Sequence, residues 1–154
     1  MNLSDVTRHG TICLSKAGLA VGSTASTAKI AAPNGAGVDY AIDGILYHKA
    51  DTDDSIAFTG LTQADDTTCL YLVCLNASGT VSVVQGTAVS TAALTAGTAV
   101  LEWPQPGPAV CPIGAIKIAN DGAAFTGGTT ELSAATVTDT YYDLMTIPAR
   151  PLES

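Results

Sequence analysis

C-L-Y-L-V-C-L-N-A-S-G-T-V-S-V-V-Q-G, residues 69–86, decides the fold class. Two runs rich in β-branched and aromatic residues flank Asn76-Ala77-Ser78-Gly79, a cluster of turn formers. That pattern predicts a β-hairpin, with Gly79 able to take a left-handed position. In the first arm Leu70, Leu72 and Cys74 point to one face and Tyr71, Val73 and Leu75 to the other, so both faces are apolar. The second arm alternates, with Val81 and Val83 on one side and Thr80, Ser82 and Val84 on the other. A strand apolar on both faces must be covered on both, which predicts a second sheet or a neighbouring subunit over each.

Working outward, strand signals recur with glycine turns between them. Val38–Ile42 and Ile45–Lys49 flank Asp43-Gly44, a strong hairpin signal. Further strands are expected at Ile56–Leu61, Thr98–Leu101, Cys111–Ala119 and Val137–Leu144, and one helical turn at Leu132–Ala135. Three prolines within Pro104–Pro108 forbid helix and central strand, so Glu102–Pro108 reads as a rigid connector. Asp51-Thr52-Asp53-Asp54 lacks the glycine and distal Glu of a calcium loop and reads as a solvated acidic loop. Residues 1–30, rich in Gly, Ser, Thr and Ala, read as an extended arm or irregular lead-in with one or two short strands. The expectation is an all-β chain: an antiparallel β-sandwich or Greek-key, jelly-roll-like barrel. It divides into an N-terminal arm (1–30) and a single β-rich domain (31–154) with an extended C-terminal tail.

Composition points to assembly. Of 154 residues, 47% are hydrophobic and only 13% charged, about half the usual share. A monomer normally covers itself with charge, so the low density predicts surface buried between subunits. Net charge is −8, with six Lys and Arg scattered along the chain, which argues against direct nucleic-acid binding. No apolar run reaches the roughly 20 residues of a membrane span, and the N-terminus lacks signal-peptide character, so synthesis in a cytoplasm is expected.

Chemistry-bearing residues do not form constellations. His9 and His48 have no triad partners in evidence, and no nucleophile elbow, phosphate loop or zinc motif occurs. Cys13, Cys69, Cys74 and Cys111 lack metal or redox spacing. Cys69 and Cys74, five apart in a strand, face opposite ways, so free buried thiols are expected. Asn76-Ala77-Ser78 matches a glycosylation sequon, which the turn explains better. No catalytic residue, metal or cofactor is expected. Aromatic anchors for an interface are expected at Tyr71, Trp103, Tyr141 and Tyr142.

Several pieces in order carry a resemblance: Y-A-I-D-G-I-L-Y (40–47), C-L-Y-L-V (69–73), P-I-G-A-I-K-I (112–118), F-T-G-G-T-T-E-L (125–132) and V-T-D-T-Y (137–141). Across roughly residues 38–147 this order resembles the capsid decoration, or cement, proteins of tailed bacteriophages. The resemblance is one of order and strand texture, with no single specific motif. It implies a β-rich subunit, often trimeric, that binds the major capsid protein on the outside of an expanded shell and braces it. The virion's outer surface would then be its location, after synthesis in the bacterial host. The segment before Ala31 or the tail after Ile147 is expected to reach neighbouring capsid subunits. The alternatives are a tail, baseplate or head-fibre component, and a non-viral ligand-binding β-module.

Overall fold

The computed structural model describes residues 10–144. In chain order the elements are β1 (Ile12–Cys13), β2 (Leu19–Val21), β3 (Thr27–Ile30), a 3-10 turn (Pro33–Gly35), β4 (Val38–Ile42), β5 (Ile45–Lys49) and β6 (Thr52–Ala57). They continue as β7 (Thr62–Gln63), β8 (Thr67–Asn76), β9 (Val81–Gln85), β10 (Val89–Ser90), α1 (Thr91–Thr95), β11 (Val110–Asn120), β12 (Phe125–Thr126) and β13 (Val137–Asp143). The fold is all-β and antiparallel, a two-layered sandwich.

One layer is built on the β8–β9 hairpin, in register from Leu75↔Val81 to Tyr71↔Gln85. Its turn closes as read: Gly79 takes φ 72, and the Asn76 side-chain oxygen accepts from the backbone N–H of Ser78 and Thr80, each at 2.9 Å. On its other edge β8 pairs with β11, and β11 with β13. A bulge between Pro112 and Gly114 accommodates the residue that cannot donate to the ladder. β10 pairs with the start of β8 and completes five strands.

The second layer comprises two three-stranded sheets, β1–β4–β5 and β2–β3–β6, with the small β7–β12 pair beside them. Asp43 (φ 51) and Gly44 (φ 81) form the tight β4–β5 turn, both left-handed as a two-residue hairpin of this type requires. Between the layers lies one core, in which Cys69, Tyr71, Val73, Leu75, Ile116 and Ile118 meet Tyr40, Ile42, Ile56, Phe58 and Phe125. Phe58 packs edge-on against Tyr71 (5.4 Å) and Phe125 (5.9 Å). Gly127 lies against the Phe58 carbonyl so closely that a Cβ there would collide with backbone.

The outer face of β8 is covered differently from expectation. Leu72, Cys74 and Ala115 are fully buried, packed against their sheet neighbours Val84 and Val110 and against Trp103 and Leu144. Part of that cover is the chain's own proline-rich connector, held as a strap across the sheet. A segment without regular structure can do this because its rigid prolines require no ladder partners.

Other readings are corrected. Of the two readings of residues 10–30, the lead-in with short strands holds, with three strands instead of one or two, and the extended arm does not: β1–β3 and their links place Cys13, Ala17, Leu19, Ala28 and Ile30 in the core. Small side chains let these short pieces approach closely, which composition alone disguised as low complexity. Residues 1–9 and the tail after Ile147 lie outside the described residues. The acidic loop at Asp51–Asp54 is mostly strand β6. The helix falls at Thr91–Thr95, and Leu101 makes only an isolated bridge. Leu132–Ala135 is a pair of turns, closed by Ala134 N–H to Glu131 O and Val137 N–H to Ala134 O, and not a helical turn. Among the described residues no helix is long and apolar enough to cross a membrane.

Candidate interaction surface

The four aromatic residues expected at an interface do not come together. Tyr71 is fully buried on the inner face of β8. Its hydroxyl donates to Gln63 Oε1 at 2.9 Å and accepts from Gln85 Nε2 at 3.3 Å, so it serves the core and not a partner. The Gln63 amide in turn donates to Thr67 O, Ile118 O and Asn120 Oδ1, and Asn120 Nδ2 to Ala64 O and Ala123 O. This network satisfies the polar groups buried beneath the β7–β8 loop.

Tyr141 also faces inward, opposite Ile116, and its hydroxyl donates to Asp139 at 2.5 Å. Burial, and then the adjacent carboxylate, push its phenol well above the usual range. Tyr142 belongs to the outer row Val84–Leu72–Ala115–Tyr142 at the sheet edge. Trp103 covers the same outer face, with its indole N–H buried and without a partner. A recess of ≈ 320 Å³ opens beside it, lined chiefly by Val84–Thr87 and Glu102–Gln105. Two of the four residues therefore share the outer face and two serve the interior.

Among the described residues, titratable side chains do not converge on a site. His48 Nδ1 lies 2.7 Å from Asp39 Oδ1 on an exposed sheet face, with both side chains more than half exposed. His9 lies outside the described residues. The four cysteines are free and buried. Burial raises the Cys69 thiol to about 11 and those of Cys74 and Cys111 to about 12, far from thiolate chemistry at neutral pH. Among the described residues no group of three His, Cys, Asp or Glu is placed to hold a metal ion.

The surface feature with the most physical content is apolar. Six large apolar side chains are exposed among the described residues, and four of them, Ile12, Leu14, Ile45 and Leu46, belong to the β1–β4–β5 sheet or its immediate extension. Register explains three of these. Ile12, Ala41 and Leu46 form one row on the outer side, while Cys13, Tyr40 and Tyr47 of the adjoining row face inward. Leu14 extends the ladder through its N–H to Asp39 O (2.8 Å), which places it in the next outward row with Asp39 and His48. Ile45 sits at the hairpin tip, 59% exposed, beside Leu46 at 71%. Sequence reading missed this patch, although adjacent apolar residues in a strand, Ile45-Leu46, already require one of them to face outward.

No protein-family model, curated protein or solved structure matches the chain.

Proposed function

We propose that this protein is a structural, non-enzymatic component of a bacteriophage virion that binds the major capsid protein on the outer surface of the shell and cements it, acting as a homotrimer. The observation that carries the reading is the grouping of exposed apolar side chains on the β1–β4–β5 sheet of a chain with only 13% charged residues. A protein built to hold other proteins requires such a surface. The net charge of −8 suits a position outside the shell, because on the inside it would face packaged, equally anionic DNA. Many modest contacts repeated over a lattice retain a subunit strongly by avidity, without a deep pocket.

The test is the copy number of the polypeptide in purified virions relative to the major capsid protein. Abundance comparable to the capsid protein is the expected result. A handful of copies per particle would move the protein to the tail, baseplate or a head fibre, and absence from particles would end the structural reading.

A further inference from the structure

We infer that the outer face of the β1–β4–β5 sheet, carrying Ile12, Leu14 and Leu46, together with Ile45 exposed at the hairpin tip, is the surface that docks on the shell, and that its counterpart is an apolar patch with a basic rim. This rests on the function proposed above and adds to it a location and a partner chemistry.

Three observations select that occupant. The first is area. The four side chains together offer on the order of 400 Å², about half of what each partner contributes to a stable standard-size interface. A patch of that size is too small to hold an isolated dimer, yet adequate for a contact repeated across a lattice.

The second is charge. On the outer rows and turn of this sheet the described residues place Asp39, Asp43 and His48, with His48 already engaged by Asp39. Lys49 lies on the side of buried Val38, and Lys16, beyond Leu14, pairs with Asp143. A second copy would bring the same carboxylates against Asp39 and Asp43, in a molecule already at −8. Like charges across an interface disfavour self-association, whereas Lys or Arg on a shell subunit would complement Asp39 and Asp43.

The third is shape. Ile45 and Leu46 stand at the tip of a tight hairpin whose turn is fixed by the Gly44 N–H to Gly10 O bond of 2.7 Å. A rigid apolar projection of this kind seats in a shallow hollow with little ordering cost.

The experiment uses the full chain and shells of the encoding phage assembled without it, with binding read by co-sedimentation. Leu46→Asp and Ile45→Asp are compared with Val100→Asp, which changes an exposed apolar residue (55%) outside this sheet. The expected result is binding weakened by about tenfold or more for the two hairpin variants. Val100→Asp should bind like the unaltered protein, all variants should keep its melting temperature, and added salt should weaken binding. Three results would overturn the inference. One is unaltered shell binding by both hairpin variants. Another is a change in oligomeric mass without shells, which would assign the patch to a second copy. The last is a loss of thermal stability with shell binding intact, which would assign it to cover by the chain's own first nine residues. If the unaltered protein itself fails to co-sediment with shells, it is the cementing function that falls.

Discussion

At the scale of single residues, the interior is specified by hydrogen bonds as much as by volume. Tyr71→Phe keeps the ring against Phe58 but removes the donor to Gln63 Oε1, leaving a buried carbonyl unpaired. The expected loss is about 1–3 kcal/mol in urea unfolding, a cost larger than the deleted oxygen's own packing explains. The thiols provide a second check. With Cys69, Cys74 and Cys111 raised to about 11–12 by burial, none should react with a disulfide reagent at pH 8 in the native protein, and all four cysteines should react after denaturation. Rapid labelling of a native thiol would contradict the packing of the strand that carries it. The opposite orientation of Cys69 and Cys74 was legible in the sequence because it depends only on strand parity. The depth of their burial was not, because it depends on what crosses above each face.

At the scale of elements, hairpins were legible and long-range partners were not. Asp43-Gly44 and Asn76–Gly79 are local signals, decided within four residues, and both turns form where their chemistry places them. Asp53 and Asp54 instead take their meaning from partners about 30 positions away. Asp53 accepts from the Ser23 hydroxyl and backbone N–H, and Asp54 from Thr27 Oγ1, Thr24 N–H and Thr24 Oγ1, so the two carboxylates clasp β6 to the β2–β3 turn. Those bonds, led by the hydroxyls of Ser23 and Thr27 respectively, hold both carboxyls below their ordinary value of 3.8. A depressed folded-state pKa contributes stability that is present above 3.8 and lost as pH falls through the lower folded value. The melting temperature should therefore fall as the solution is acidified below about pH 3.8, and the Asp53→Asn/Asp54→Asn double variant should show a shallower fall. An equal slope in both proteins would remove the clasp from the account. Its exposed position makes the effect modest and sensitive to salt.

At the scale of the molecule, the sandwich is held by pairings distant in sequence. β11 lies along β8 from Val110↔Asn76 to Ala119↔Thr68, and β1 pairs directly with β4 although β2 and β3 intervene in the sequence. Non-local pairing slows folding, so refolding from urea should take milliseconds to seconds, as stopped-flow fluorescence would record. A microsecond relaxation would mean that local structure dominates the rate. The all-β class was legible because alternation and turn chemistry repeat along the chain. The inclusion of residues 10–30 in the core was not, since Ala17 and Ala28 carry no signal of burial until a neighbour approaches them. For the same reason Tyr71 looked like an interface anchor: an aromatic in a strand reads alike whether a partner chain or the opposite layer covers it.

The strap across the outer face gives the molecule an optical handle. Trp103 is the only tryptophan, and it lies on that strap and not in the inter-layer core. Its emission therefore reports whether the cover is seated, while circular dichroism of the strands reports whether the sandwich is intact. Coincident transitions would mean that cover and core are one cooperative unit. An earlier red shift of the emission would mean that the strap lifts first and uncovers Leu72 and Cys74. A sheet bared in that way is sticky, and the sandwich would then be lost to aggregation at temperatures where its own strands still hold.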